Sequence, residues 1–185
     1  TKNGELNFNH EKNLIGAYLK YSKKLQSGQV TVEDFINLKY DIHQSMDTPD
    51  GKLIDYQKGV TSKFKWKSES NNTISNISGQ VSTTVKERLT EYNIRYQEIM
   101  DSTGKVIETK IFYEKDAFNQ LEKYVYKINS MIESKLFSAD VITAVAVQDF
   151  LVIHPFDDGN GRIARLYGQI LYGSQTNKYD LIFPQ

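Results

Sequence analysis

One stretch near the C-terminus limits what this chain can fold into more than any other. Ser138 suits a helix N-cap, and Val141 to Ile153 behind it is apolar nearly all round, broken by Gln148 and Asp149. A helix of that kind has no face to leave to water, so other elements must surround it. It is too short to span a bilayer and carries polar residues, so the expectation is a buried central helix and no membrane partner. Neighbouring segments can supply the surround. Phe118, Leu121, Val125, Ile128 and Ile132 recur at helical spacing behind Asp116, a suitable N-cap. Gly161 to about Gly173 repeats the pattern with Ile163, Leu166, Ile170 and Leu171 inward. Leu14, Tyr18, Tyr21 and Leu25 form another stripe, with Asn9 as its expected N-cap and Ser27-Gly28 as its stop. Thr31-Val-Glu-Asp34 resembles a capping box opening a helix with Phe35, Leu38, Ile42 and Met46 inward, which Pro49-Asp50-Gly51 ends.

Residues 92–113 change period. Ile94, Tyr96 and Met100 alternate with polar residues, and after Asp101-Ser-Thr-Gly104 the run Val106 to Tyr113 is rich in β-formers, so a hairpin is expected. Residues 52–66, with Leu53, Val60, Phe64 and Trp66, have no clean period. Ser68 to Gln80 is rich in Ser, Asn and Thr and reads as a surface loop or insertion. The fold class is therefore mainly α, a helical bundle carrying one β-hairpin. Residues 1–89 read as an N-terminal helical part and 90–185 as the core.

Composition removes several functions. A chain of 185 residues with 39% hydrophobic residues can build one core. The 23 basic residues balance the 23 acidic ones, which excludes a globally basic nucleic-acid binder and an acidic tail. The absence of cysteine excludes disulfide scaffolds, redox motifs, thiolate zinc sites and cysteine nucleophiles. The 12 tyrosines fit core and interface packing better than a nucleotide stack. Starting at Thr1 with no signal peptide, the chain reads as an excised domain.

Chemistry concentrates in His154-Pro-Phe-Asp-Asp158-Gly-Asn-Gly-Arg162-Ile-Ala-Arg165, between the last two helices. A Gly-Asn-Gly turn entering a helix leaves backbone N–H groups without intrahelical partners, and the helix dipole adds positive charge there. Arg162 and Arg165, three apart, can lean over that anion site with their forked donors. Asp158 is a hard oxygen ligand placed to hold magnesium against phosphates. His154 titrates near neutrality, as a general base should. The set points to nucleotide chemistry. A chelate of His154, Asp157 and Asp158 in a metal hydrolase is the rival, but the other histidines, His10 and His43, are remote in sequence; His43 reads as structural or surface.

The segment matches all nine specified positions of HPFx(D/E)GNGRxxR and resembles the Fic family, with the likeness extending over roughly residues 90–174. The resemblance implies a protein adenylyltransferase that moves AMP from ATP to a Ser, Thr or Tyr hydroxyl of a protein. It implies that His154 deprotonates the hydroxyl and that Asp158 holds Mg2+ or Mn2+ across the α- and β-phosphates. Gly159, Asn160 and Gly161 would form the anion loop, Arg162 would contact mainly the β-phosphate, and Arg165 would reach the γ-phosphate. Phe156 would anchor the loop in the core and Pro155 stiffen its entry; Asp157 is given no role. The hairpin would be the flap, at 92–113 with its tip at 101–105, along which a target segment docks by strand addition.

Alternatives within the family transfer UMP, phosphocholine or phosphate; Gly161 argues against the last, which carries Lys there. A binding module without catalysis is the alternative of another class. Many relatives are inhibited by a helix bearing (S/T)xxxE(G/N). Thr83-Thr-Val-Lys-Glu87-Arg88 and Thr1-Lys-Asn-Gly-Glu5-Leu6 both fail at the last position. Inhibition by a separate chain or a removed segment, or an unregulated secreted bacterial effector or toxin, is then expected, and a deAMPylase role is disfavoured. Compartment stays open between cytoplasm and secretion into a host cell.

Overall fold

A computed structural model describes residues 2–27, 29–43 and 66–177. Six helices and three strands occur in the order α1 (Lys2–Ser27), α2 (Val32–His43), β1 (Ile74–Ser78), α3 (Thr83–Glu91), β2 (Arg95–Met100), β3 (Val106–Phe112), α4 (Ala117–Ser134), α5 (Ala139–Ile153) and α6 (Asn160–Thr176). The fold is mainly α with a small antiparallel sheet, as the sequence pattern requires.

Local chemistry sets the helix starts. Asp116 accepts from the Phe118 N–H at 3.0 Å, and Ser138 from the Val141 N–H at 3.4 Å. Thr31 and Asp34 bond reciprocally, the Thr31 N–H donating to Asp34 Oδ2 at 2.8 Å and the Asp34 N–H to Thr31 Oγ1 at 3.3 Å. Asn9 is not a cap: α1 begins at Lys2 and runs through it. Helix-forming Glu5, Glu11 and Lys12 carry the helix across a residue that merely tolerates it. Met46, the Pro49-Asp50-Gly51 break, Leu53, Val60, Phe64 and the His43 side chain lie outside the described residues.

Buried side chains of all the helices merge into one cluster. At its centre Phe35 (α2) stacks on Phe150 (α5) at 5.2 Å, and edge-to-face contacts bring in Tyr124 (α4) at 5.7 Å and Tyr167 (α6) at 4.8 Å. Tyr18, Tyr21, Tyr92, Tyr113, Tyr124 and Tyr167 are all buried, so half the tyrosines pack the interior. Helix α5 is central, though not enclosed on every side: Val141 and Leu151 are 44% and 42% exposed. Its one buried carboxylate, Asp149, accepts from Tyr92 Oη at 2.7 Å and Lys127 Nζ at 2.8 Å, and pairs with Arg88 Nε at 3.0 Å. Three side chains from α3, its C-cap and α4 thus converge on one fully buried charge, which would be prohibitive unpaired.

The polar stretch after Trp66 is not a loop throughout. Residues Lys67–Glu69 make a 3-10 turn, and β1 pairs antiparallel with β3, Ile74 opposite Phe112 and Ser78 opposite Glu108. The sheet order is β1-β3-β2, so the expected hairpin is two strands of a three-stranded sheet. Strand β1 buries neither face, so its sequence lacks the alternation that marks a half-buried strand. The hairpin tip is as expected: Asp101 Oδ1 accepts from the N–H groups of Thr103 at 2.8 Å and Lys105 at 3.1 Å, and Gly104 takes a φ of 81°.

Helices α5 and α6 meet at Gly168, where an added Cβ would lie 2.5 Å from Val147 Cγ2. Gly168→Ala is expected to push the two helices apart and lower stability by about 1–3 kcal/mol, measured by denaturant unfolding.

Candidate functional site

The site lies in the connection between α5 and α6. Helix α5 ends because His154 turns left-handed, with φ 49° and ψ 55°, and its N–H still bonds the Phe150 carbonyl at 3.0 Å. The following proline disfavours right-handed helix at this position. The left-handed alternative costs a non-glycine residue about 1–2 kcal/mol, and the surrounding contacts must supply it. Those contacts are specific. Phe156 is fully buried and stacks on Trp66 at 5.5 Å, while the Lys67 N–H donates to the Pro155 carbonyl at 2.8 Å. Asn160 closes the loop with two bonds: its Nδ2 donates to the Phe156 carbonyl at 2.7 Å, and its Oδ1 accepts from the Phe156 N–H at 3.0 Å. Its side chain is therefore used in holding the loop, and what it can present to an anion is backbone at the start of α6.

Gly159 caps α6 with a φ of 82°, a conformation that favours glycine, and its carbonyl accepts the Ile163 N–H at 3.0 Å. The first N–H groups of α6 then have no helical partner. The Arg165 guanidinium folds back over that first turn, so that a Cβ at Gly161 would lie 3.4 Å from Arg165 Nη1. Among the described residues no acidic side chain pairs with Arg165, and Glu87 of the failed inhibitory motif lies on α3. Arg162 Nη2 bonds Asp158 Oδ2 at 3.0 Å, and the Asp158 side chain is 74% exposed. The structure thus brings His154, Asp158, Gly159, Asn160, Gly161, Arg162 and Arg165 onto one loop and helix start, with Pro155 and Phe156 beneath them.

The His154 imidazole is held below its ordinary pKa, chiefly by burial and next by the Lys67 ammonium. A bond from the ring to the Leu151 backbone and the Asp158 charge act the other way. The ring is therefore neutral at pH 7. With one nitrogen donating to the Leu151 carbonyl, the other can accept a proton.

Four contributors lie outside the motif's fixed positions. Lys39 of α2, buried, donates from Nζ to Asp157 Oδ1 at 3.0 Å and to the Asp158 carbonyl at 2.7 Å. Asp157, given no role by its place in the motif, anchors the loop to the N-terminal helices. Trp66 and Lys67 brace Phe156 and Pro155 from the other side. No sequence signal marks Lys39; its long-range partner is visible only in the fold. Asp157 is also poorly placed for the hydrolase chelate, since its Oδ1 is taken by Lys39 and the Asp158 N–H. Among the described residues no group of three His, Asp or Glu side chains converges to hold a metal ion.

This geometry belongs to a known class. The chain is a member of the Fic/DOC family, whose family model matches residues 70–172, more than half of its length. The match begins twenty residues before position 90 and so takes in β1 and α3 as well as the hairpin. Comparison with curated proteins and with solved structures gives no match. Fic proteins are typically transferases.

Replacing Lys39 by Met would leave the Asp157 carboxylate and the Asp158 carbonyl without their donor. A loss of about 1–3 kcal/mol in stability is expected, read as a lowered unfolding midpoint.

Proposed function

We propose that this Fic domain is a protein adenylyltransferase, moving AMP from ATP to a Ser, Thr or Tyr hydroxyl of a target protein. The observation that carries the reading is an imidazole held below its ordinary pKa by burial, beside a helix start over which an arginine is folded that has no acidic partner among the described residues. The target hydroxyl gives its proton to His154 while its oxygen bonds the α-phosphorus. The bond to the β-phosphate oxygen breaks and pyrophosphate leaves. Positioning and neutralisation of phosphate charge carry most of the acceleration in such a transfer. The N–H groups at Asn160 and Gly161 and the Arg162 and Arg165 forks supply that neutralisation. Arg165 would reach the γ-phosphate.

A divalent ion fits this donor set in one form. Asp158 offers a single exposed carboxylate, which suits Mg2+ or Mn2+ held mainly by phosphates and water. When bound, such an ion neutralises phosphate charge. Removing it with EDTA should abolish transfer, while calorimetry of the protein with MgCl2 and no nucleotide should give at most weak binding.

The target would pair with the sheet edge. Strand β3 is bonded on both sides, so within 92–113 the outer edge of β2 is the one that can accept another strand. A segment added there would be fixed by main-chain bonds, with little reading of its sequence. No nucleic-acid or membrane partner enters this reading; inhibition would come from a separate chain or a removed segment, unless the domain is unregulated.

The test is the mass added to a target, or to the domain itself, after incubation with ATP, UTP or CDP-choline in turn. An AMP adduct from ATP is the expected result. A UMP or phosphocholine adduct would replace the reading with another transfer, and binding without an adduct would leave a nucleotide-holding module. His154→Ala should keep ATP affinity within a few-fold and lower transfer by at least about 10². Because the imidazole is held below its usual pKa, the acid limb of kcat/KM should have its midpoint below pH 6.5, activity rising with pH as the ring loses its proton. A midpoint above 6.5 would rule out His154 in its present surroundings as that base.

A further inference from the structure

Lys67 stands out among the described charges. It is 7% exposed, and among the described residues no carboxylate pairs with its ammonium. Its Nζ sits 5.7 Å from the centroid of the Tyr113 ring, and that ring lies 5.6 Å from the imidazole of His154. Its own N–H holds the Pro155 carbonyl, one residue beyond the base. The ammonium and the imidazole therefore share one aromatic neighbour in the same corner of the site. The Lys67 side chain is largely covered while its ammonium stays reachable, and a ring face opposes only part of the charge. An anion arriving in that corner would oppose the charge.

The reaction proposed above dictates which anion comes there. A hydroxyl giving its proton to His154 stands about 3 Å from the ring nitrogen. The phosphorus it attacks stands about 3–3.5 Å further on. A cation that shares the Tyr113 neighbour of His154 is then a candidate to meet the α-phosphate oxygens. Arg162 and Arg165 approach from α6, on the side of the outer phosphates. We propose that the Lys67 ammonium contacts the α-phosphate, so that it is a third phosphate-binding cation supplied from outside the motif, ahead of the sheet. This inference rests on the adenylyltransferase reading for the identity of the anion. A secondary effect is electrostatic: its charge already lowers the His154 pKa.

The test separates the α-phosphate from the rest of the nucleotide. Calorimetry would compare AMP with adenosine on the full chain, wild type against Lys67→Met and Lys67→Arg. Lys67→Met should weaken AMP binding about tenfold or more, with adenosine binding unchanged, because a hydrogen bond to a charged group is lost. Lys67→Arg should retain most of the AMP affinity. A parallel measurement needs no variant: in NMR of the wild type, the Lys67 side-chain resonances should shift on saturation with AMP and not with adenosine. Equal AMP affinity in wild type and Lys67→Met overturns the proposal, as does a Lys67 signal indifferent to AMP; the NMR result decides if Lys67→Met fails to fold. Failure of the adenylyltransferase reading looks different: the wild type would then add no AMP to any protein, while the AMP comparison would still judge Lys67.

Discussion

Everything the site can do depends on how the chain crosses from Ile153 to Asn160. Two buried helices lying against each other need a short connection, and this one is held by side chains rather than by its own backbone ladder. Asn160 bonds both polar groups of Phe156, and Phe156 is driven into the core against Trp66. The loop is thus fastened from beneath, which leaves its upper surface of N–H groups, Asp158 and arginine forks facing outward. Hydrophobic burial sets the position of the loop; hydrogen bonding sets its shape.

Lysines hold the same loop from two directions. Lys39 reaches it from α2 and bonds Asp157 and the Asp158 carbonyl, while the backbone of Lys67 fixes Pro155 from the segment before the sheet. The N-terminal helices lie outside the residues matched to the family, yet one of them supplies a strap for the motif. Asp149 does comparable work deeper down, tying α3, α4 and α5 through Arg88, Tyr92, Lys127 and its own helix. Bonds of this kind give a small bundle a fixed arrangement that apolar contact alone specifies poorly.

The residues that were legible from sequence are those whose signals are local. Asp116, Ser138 and the Thr31–Asp34 pair act on N–H groups two or three residues away, so their patterns can be read directly. The loop from His154 to Arg165 was legible for the same reason, being one continuous motif. Strand β1 was not, because an edge strand exposed on both faces has no periodic burial and draws its order from pairing with β3. Lys39, Trp66 and Lys67 were hidden by distance along the chain: Lys39 meets Asp157 across 118 positions. Asn9 misled because a good capping residue also sits inside a helix when its neighbours favour one.

The ion pair between Asp158 and Arg162 gives the site a way of discriminating before any chemistry begins. The two groups already answer each other across one helical turn, so a ligand that takes up either of them must first loosen the pair. An exposed pair of this sort is worth no more than about 1 kcal/mol, so it is easily parted. A single ion engages one half and leaves the other to its remaining neighbours and to water. A ligand that arrives as a neutralised complex, anion and cation together, engages both halves at once and strands neither. The pair thus biases the site toward composite ligands by no more than the about 1 kcal/mol that holds it together, and leaves a lone anion to the other cations and N–H groups around the loop.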